Sequence, residues 1–140
     1  PLVQFYRIVD NTTQRNINKS WREAGNCHLS RALWPRLDLG RTSELNKLLR
    51  KDISRIIGVI TGHWNIGHMA RKFSATANDF CKSCKDEEEI ERVQHFFCKC
   101  AALQRKRLQF LWSRFLSALD SLSDANIGAL RNFIEATGWL

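Results

Sequence analysis

The sequence predicts a mainly α-helical fold in one small domain, and three observations support this. Apolar residues recur at helical spacing in several segments of the 140-residue chain. No alternating strand pattern surrounds the Cys81-x2-Cys84 motif, the most conspicuous motif of the chain. Four of the five cysteines and one of the four histidines fall between positions 81 and 100, which concentrates metal-ligand chemistry in the middle of the chain.

Several helices are expected from periodicity and capping signals. The longest begins at Thr42 or Ser43 and ends at Gly62, and its apolar stripe consists of Leu45, Leu48, Leu49, Ile53, Ile56, Ile57 and Ile60, with Val59 beside it. Other helices are predicted over residues 12–25, from Ala101 to about Leu119, and after Asp124. In the last of these, the residues expected to face inward are Ile127, Leu130, Phe133 and Ile134. Residues 1–9 fit either a strand or the start of a helix, and residues 26–42 are expected to form an irregular connector.

The cysteine pattern predicts a zinc site. Cys81 and Cys84 form a C-x2-C pair, whose sulfurs can point at one centre from a tight turn. His95 with a following cysteine can supply the other two of the four N/S ligands that a tetrahedral zinc ion requires. Ordinary buried thiols are the alternative, since free cysteine is among the most buried residue types. A redox-active Cys81–Cys84 pair is less favoured, because that chemistry expects a βαβ context.

The fourth ligand stays open between Cys98 and Cys100 on spacing alone. Residues five apart on a regular α-helix lie nearly 140° apart at roughly 100° per residue, so His95 and Cys100 would need a distorted or interrupted helix to converge. His95 and Cys98, three apart, would converge without distortion. Helix geometry therefore favours Cys98.

The charge distribution points to a polyanionic partner. The net charge is +8, and residues 1–75 carry 13 Lys and Arg against 5 Asp and Glu, whereas residues 76–140 carry nine of each. A one-sided basic field beside a zinc motif is typical of nucleic-acid-binding proteins. Arg15, Lys19 and Arg22 form one basic stripe, which suits either a solvated face or a phosphate contact equally well.

Catalytic patterns are weak in this sequence. His63 and His68 are reminiscent of a one-metal nuclease, but that chemistry expects a β-hairpin leading into a helix and a third ligand, so packed or hydrogen-bonding histidines are favoured. The acidic run of residues 86–91 suits the first turn of a helix. No Gly-rich phosphate loop or Ser/His/Asp arrangement is found. We therefore expect no catalytic residues and no small-molecule substrate.

An ordered set of short motifs spans nearly the whole chain: Trp34-Pro35, Thr61-Gly-His63, Cys81-x2-Cys84, the acidic run, His95-Phe-Phe-Cys-x-Cys100-x-Ala-Leu103, and Phe133-Ile…Gly138-Trp-Leu140. This set resembles the C-terminal region of the second open reading frame of jockey-like non-LTR (LINE-type) retrotransposons. The chain departs from the family pattern at Arg92, where Thr is frequent, and at Ala101, where Pro is frequent.

The resemblance implies a C-x2-C-x10-H-x4-C zinc knuckle in which Cys81, Cys84, His95 and Cys100 bind one structural zinc ion and Cys98 does not. It also implies a piece of a longer polyprotein, with the reverse transcriptase, endonuclease and RNase H active sites upstream. Residues 1–40 would form an N-terminal helical arm after the RNase H domain, and residues 41–140 the zinc-stabilised helical domain. With no signal peptide and no apolar run of eighteen residues, an intracellular location is expected, in a cytoplasmic ribonucleoprotein and in the nucleus, without a membrane partner.

These observations together predict a non-catalytic accessory domain that holds template RNA or target DNA. The side chains expected to contact phosphates are Arg71, Lys72, Lys82, Arg105, Lys106 and Arg107. A second hypothesis is a protein-interaction or oligomerisation domain, which would use the five tryptophans and the final Trp139-Leu140 to dock on the RNase H or polymerase domain.

Overall fold

A computed structural model describes residues 2–64, 80–85 and 92–138. These residues are mainly helical, as the sequence predicts, and they contain no β-strand. The α-helices among them are α1 (Leu2–Glu23), α2 (His28–Leu33), α3 (Leu39–Asn46), α4 (Arg50–Thr61), α5 (Gln104–Leu111) and α6 (Ile127–Ala136). Shorter helical turns are a π-helical turn (His95–Lys99) and two 3-10 turns (Ala101–Leu103 and Leu119–Leu122).

The long aliphatic helix expected from Thr42 or Ser43 to Gly62 is in fact two helices, α3 and α4. Asp38 begins α3, because its side-chain Oδ1 accepts a hydrogen bond from the backbone N–H of Arg41. The chain turns at Lys47–Leu49, where Leu49 is 65% exposed. The break lets α3 and α4 both pack on α6, so tertiary packing overrides the continuous helical pattern.

The C-terminal half also departs from the prediction in one place. The helix expected from Ala101 to Leu119 ends at Leu111, where Trp112 adopts a left-handed conformation with φ of 56°. The backbone then folds back, and the N–H of Leu116 donates to the carbonyl of Cys98 at 3.2 Å. The final helix α6 follows an Asn126 cap, and its four predicted inward residues are all buried.

Helix α1 is continuous from Leu2 to Glu23, so the N-terminal segment expected to be a strand or the start of a helix and the helix predicted over residues 12–25 form one helix. None of the residues of α1 is buried. Its C-terminal end is tied to the α2–α3 connector: the indole N–H of Trp21 donates to the carbonyl of Trp34 at 2.8 Å, and Asn18 accepts from the N–H of Leu37 at 2.7 Å. The expected irregular connector contains α2, which packs against α4 and the 119–122 turn and buries Leu33 in the core. The division at residue 40 stays a prediction.

The centre of the core is aromatic. Phe96 stacks edge-on against Trp64, Phe97 and Phe133, with ring centroids 5.2 to 5.5 Å apart. Phe96 and Phe97 belong to the π-helical turn, so this turn is anchored in the core. No helix among the described residues combines the length and the apolarity that a membrane crossing requires.

Candidate metal centre

Four side chains from two separate segments converge beside the aromatic core. The ligand atoms of Cys81, Cys84, His95 and Cys100 all lie within 4.8 Å of one another, which is close enough to hold one metal ion. The Sγ atoms of Cys81 and Cys100 are 3.7 Å apart, and the Sγ of Cys84 lies 3.5 Å from Nε2 of His95. Each short distance thus joins one residue of the first pair to one of the second.

The first pair lies on a tight turn. Residues 82–84 form the turn, which closes when the N–H of Lys85 donates to the carbonyl of Cys81 at 2.9 Å. Lys85 has a φ of 56°, the left-handed region that reverses the chain. This geometry brings the two sulfurs to the same side, as expected for a C-x2-C pair.

The second pair lies on the π-helical turn. The N–H of Cys100 donates to the carbonyl of His95 at 2.8 Å, an i→i+5 hydrogen bond. Residues five apart are therefore close to one turn apart here, and the divergence expected on a regular α-helix is reduced. Cys100 then leaves the helix with φ −51° and ψ 117°, although Ala101 stands where a proline would enforce the break.

Cys98 lies outside this group of four. Its side chain is fully buried, and its carbonyl accepts the hydrogen bond from Leu116. Burial raises the pKa of the Cys98 thiol to about 11. The structure thus brings Cys100, and not Cys98, to the other three side chains.

Burial also affects the protonation of two thiols in the cluster, Cys81 and Cys100. It raises the pKa of Cys81 to about 12 and raises the pKa of Cys100 above its ordinary value. In the absence of metal these thiols are therefore protonated and weakly nucleophilic at neutral pH, which argues against a reactive or redox-active cysteine pair.

The predicted phosphate-binding side chains have different environments. Lys82 and Arg105 are exposed, and Lys106 is half-buried. Arg107 corrects the prediction, because it is fully buried and donates to the backbone carbonyls of Phe96, Cys100 and Arg114. A guanidinium held in this way cannot contact a phosphate. Arg71 and Lys72 lie outside the described residues.

Sequence reasoning missed three basic residues next to the ligands. Lys85 follows Cys84, Lys99 lies between Cys98 and Cys100, and Arg92 lies three residues before His95; all three are exposed. Their proximity to the ligands in the sequence is the signal that identifies them, although the basic run Arg105-Lys106-Arg107 is more conspicuous.

The alternative sites find no support in the described part of the chain. His63 is exposed and belongs to no cluster of three or more potential metal ligands there. His68, the acidic run of residues 86–91 and Trp139-Leu140 lie outside the described residues. Cys27 is exposed and stands apart from the cluster.

Comparison with protein-family models, curated proteins and solved structures finds no match to this chain.

Proposed function

We propose that Cys81, Cys84, His95 and Cys100 bind one zinc ion. The observation that carries this proposal is the spacing of the ligand atoms. Two thiolates about 2.3 Å from a tetrahedral zinc ion lie roughly 3.8 Å apart, and a thiolate and an imidazole nitrogen roughly 3.5 Å apart. The Cys81–Cys100 and Cys84–His95 distances are 3.7 Å and 3.5 Å. Three thiols and an imidazole are also the donor set that structural zinc prefers.

The zinc would have a structural role. Four protein ligands leave no open position for a water or substrate, so the ion would not activate a nucleophile. Its binding free energy, on the order of 10 kcal/mol for comparable sites, would instead stabilise the fold. It would join the 81–85 turn to the π-helical turn and, through Phe96 and Phe97, to the core.

The domain would use this rigid centre to present positive charge to RNA or DNA. Lys82, Lys85 and Lys99 are exposed and flank ligands directly in the chain, and Arg105 is exposed in the first turn of α5. Cations on a fixed frame suit phosphate contacts, which supply affinity with little sequence preference. In a jockey-like retrotransposon polyprotein, such a domain would hold template RNA or target DNA for the upstream polymerase.

Salt-dependent binding tests this function. We expect the chain to bind RNA and DNA with an affinity that falls steeply as the salt concentration rises, because each phosphate contact releases counterions. The triple variant Lys82→Gln/Lys99→Gln/Arg105→Gln should bind more weakly and flatten the log–log salt slope by about 2 to 3. Fluorescence anisotropy with labelled single strands and duplexes measures both effects.

A matched control removes the same charge elsewhere. Lys47→Gln/Arg50→Gln/Lys51→Gln alters three exposed residues at the α3–α4 junction. The control variant should retain more of the wild-type slope than the first triple variant. Equal slopes in the two variants would refute an interface around the metal centre, and wild-type affinity that is independent of salt would refute phosphate binding altogether.

A second candidate function, protein interaction or oligomerisation, is favoured by one observation. Helix α1 buries no residue, although its N-terminal half exposes large apolar side chains, namely Leu2, Val3, Phe5, Tyr6, Ile8 and Val9. Sedimentation of wild type and of Phe5→Ser/Tyr6→Ser at several concentrations tests it. A dimer that this variant abolishes, together with no binding to any nucleic acid, would favour this function over the first.

A further inference from the structure

Within the described part of the chain, Arg107 is a buried cation without a carboxylate partner. It is the largest side chain that is fully buried among the described residues, and no ion pair joins it to an Asp or Glu there. Its Nε donates to the carbonyl of Arg114 at 2.7 Å, its Nη1 to that of Phe96 at 3.2 Å, and its Nη2 to that of Cys100. Carbonyl groups satisfy these donors, and the guanidinium lies 5.6 Å from the centroid of the Phe115 ring, but neither contact supplies an opposite formal charge.

Such an arrangement is costly unless an opposite charge lies nearby. Removing an ion from water is compensated only by good geometry and a counter-charge. The ionisable groups that act on Arg107 are the thiols of Cys100 and Cys98, whereas its burial alone lowers the pKa of its guanidinium. Cys98 lies outside the ligand group, and Cys100 lies inside it.

The zinc-bound site has the negative charge that would compensate the positive charge of Arg107. Three thiolates and one divalent ion carry a single net negative charge. Arg107 donates a hydrogen bond to the carbonyl of Cys100, so it lies against the backbone of one proposed ligand. Its bonds to Phe96 and Cys100 also fasten both ends of the π-helical turn, and its bond to Arg114 holds the 112–118 segment over that turn.

We propose that Arg107 is the counter-charge and positioning residue of the metal centre: it balances the negative charge of the loaded site and holds the turn that aims Cys100 at the ion. This inference rests on the proposed zinc site. It makes zinc binding and the burial of Arg107 mutually stabilising, because each supplies the charge that the other needs. A residue that only packs would stabilise the metal-free and metal-bound forms equally.

The test compares Arg107→Met, which removes the charge and the donors, with Arg107→Lys, which retains the charge. Zinc affinity is measured on the full chain by competition with a chromophoric chelator, and melting temperatures are measured with zinc and with excess EDTA. We expect Arg107→Met to weaken zinc binding by about 10- to 100-fold, as is usual when a partner of a metal ligand is lost. Arg107→Lys should lose less, and the metal-free Met variant should melt no lower than the metal-free wild type.

Arg41→Met is the matched control. Arg41 is also a buried arginine, 7% exposed, which donates to the carbonyl of Leu33 and lies over the Trp34 ring at 4.3 Å. The charges that act on it are Asp38, Asp124, Glu44 and Arg36, and none belongs to the metal centre. Its replacement should lower both melting temperatures together and leave the zinc affinity unchanged.

Each outcome decides the inference. Equal zinc affinities for wild type and Arg107→Met, or an equal loss of melting temperature in the two forms, would overturn it while leaving the zinc site intact. If Arg107→Met fails to fold even with excess zinc, the Lys variant decides: affinity near that of wild type supports the charge role, and no binding above that of a Cys100→Ala variant overturns it. A wild-type chain that binds no zinc would overturn the proposed site itself, and the inference with it.

Discussion

At the scale of single residues, two neighbouring thiols have different surroundings although both are fully buried. Cys100 lies at the end of the π-helical turn and points its sulfur at Cys81, whereas Cys98 lies within that turn and outside the ligand group. Spacing on a regular helix favours Cys98, and the family resemblance favours Cys100. The difference arises from one i→i+5 hydrogen bond, which no propensity scale predicts.

The raised thiol pKa values predict how pH affects zinc binding. Because the pKa of Cys81 is about 12 and that of Cys100 is also raised, both are protonated at neutral pH and must each release a proton to bind the metal. Zinc affinity should therefore rise by about a hundredfold per pH unit between pH 6 and 8 from these two groups, at tenfold for each proton released. Competition titrations at several pH values measure the slope.

The metal-free form should show the opposite trend. A raised pKa in the fold means that the unfolded chain loses these protons first as the pH rises. The metal-free fold should therefore be most stable below about pH 8.5, the ordinary thiol pKa, and lose stability above it. Zinc affinity that is independent of pH, with metal-free stability that increases above pH 9, would contradict the assigned environment of these thiols.

At the scale of elements, α6 was predictable and the two helix breaks were not. The pattern Ile127, Leu130, Phe133 and Ile134 lies on one short helix whose burial is decided locally. The α3–α4 break depends on both helices reaching α6. The end of α5 at Trp112 accompanies hydrogen bonds that Leu116 donates to Cys98 and Arg107 donates to Phe96, both in the π-helical turn. Contacts of this kind cannot be predicted from helical periodicity, which uses only the spacing of residues within one segment.

The junction of α4 and α6 depends on a buried carboxylate. Asp52 is 3% exposed, and it accepts from Arg55 at 3.1 Å and from Arg131 of α6 at 3.4 Å. Asp52→Ala should lower the free energy of unfolding by about 2 kcal/mol, because it removes the charge-assisted hydrogen bonds to Arg55 and Arg131. Arg131 keeps its contact with Glu135 at 3.1 Å, whereas Arg55 loses this acceptor. Urea denaturation of the zinc-bound protein measures the loss.

Asp124→Ala is the control for this prediction. Its contact with Arg36 at 3.7 Å is well exposed, at 64% and 84% of the two side chains. Exposed pairs contribute little, so this variant should unfold at nearly the wild-type urea concentration. Equal effects of the two substitutions would show that the α4–α6 contact does not depend on Asp52.

At the scale of the whole molecule, the metal centre and the hydrophobic core form one structure. The π-helical turn supplies two candidate ligands at its ends and two core aromatics between them, so the ligands cannot move without disturbing Phe96 and Phe97. The residue types of this centre could be predicted from the sequence because the C-x2-C spacing is local. The burial of Arg107 could not, since an arginine in a basic run is normally a surface residue.

The central claim is that one zinc ion binds to Cys81, Cys84, His95 and Cys100, and the metal content of the purified chain tests it most directly. We expect one zinc per chain in the wild type and in Cys98→Ala, less than a tenth of that in Cys100→Ala after dialysis against a weak chelator, and a lower melting temperature when EDTA removes the ion. A wild-type chain without zinc under metal-replete conditions, or zinc retained by Cys100→Ala but lost from Cys98→Ala, would contradict the account.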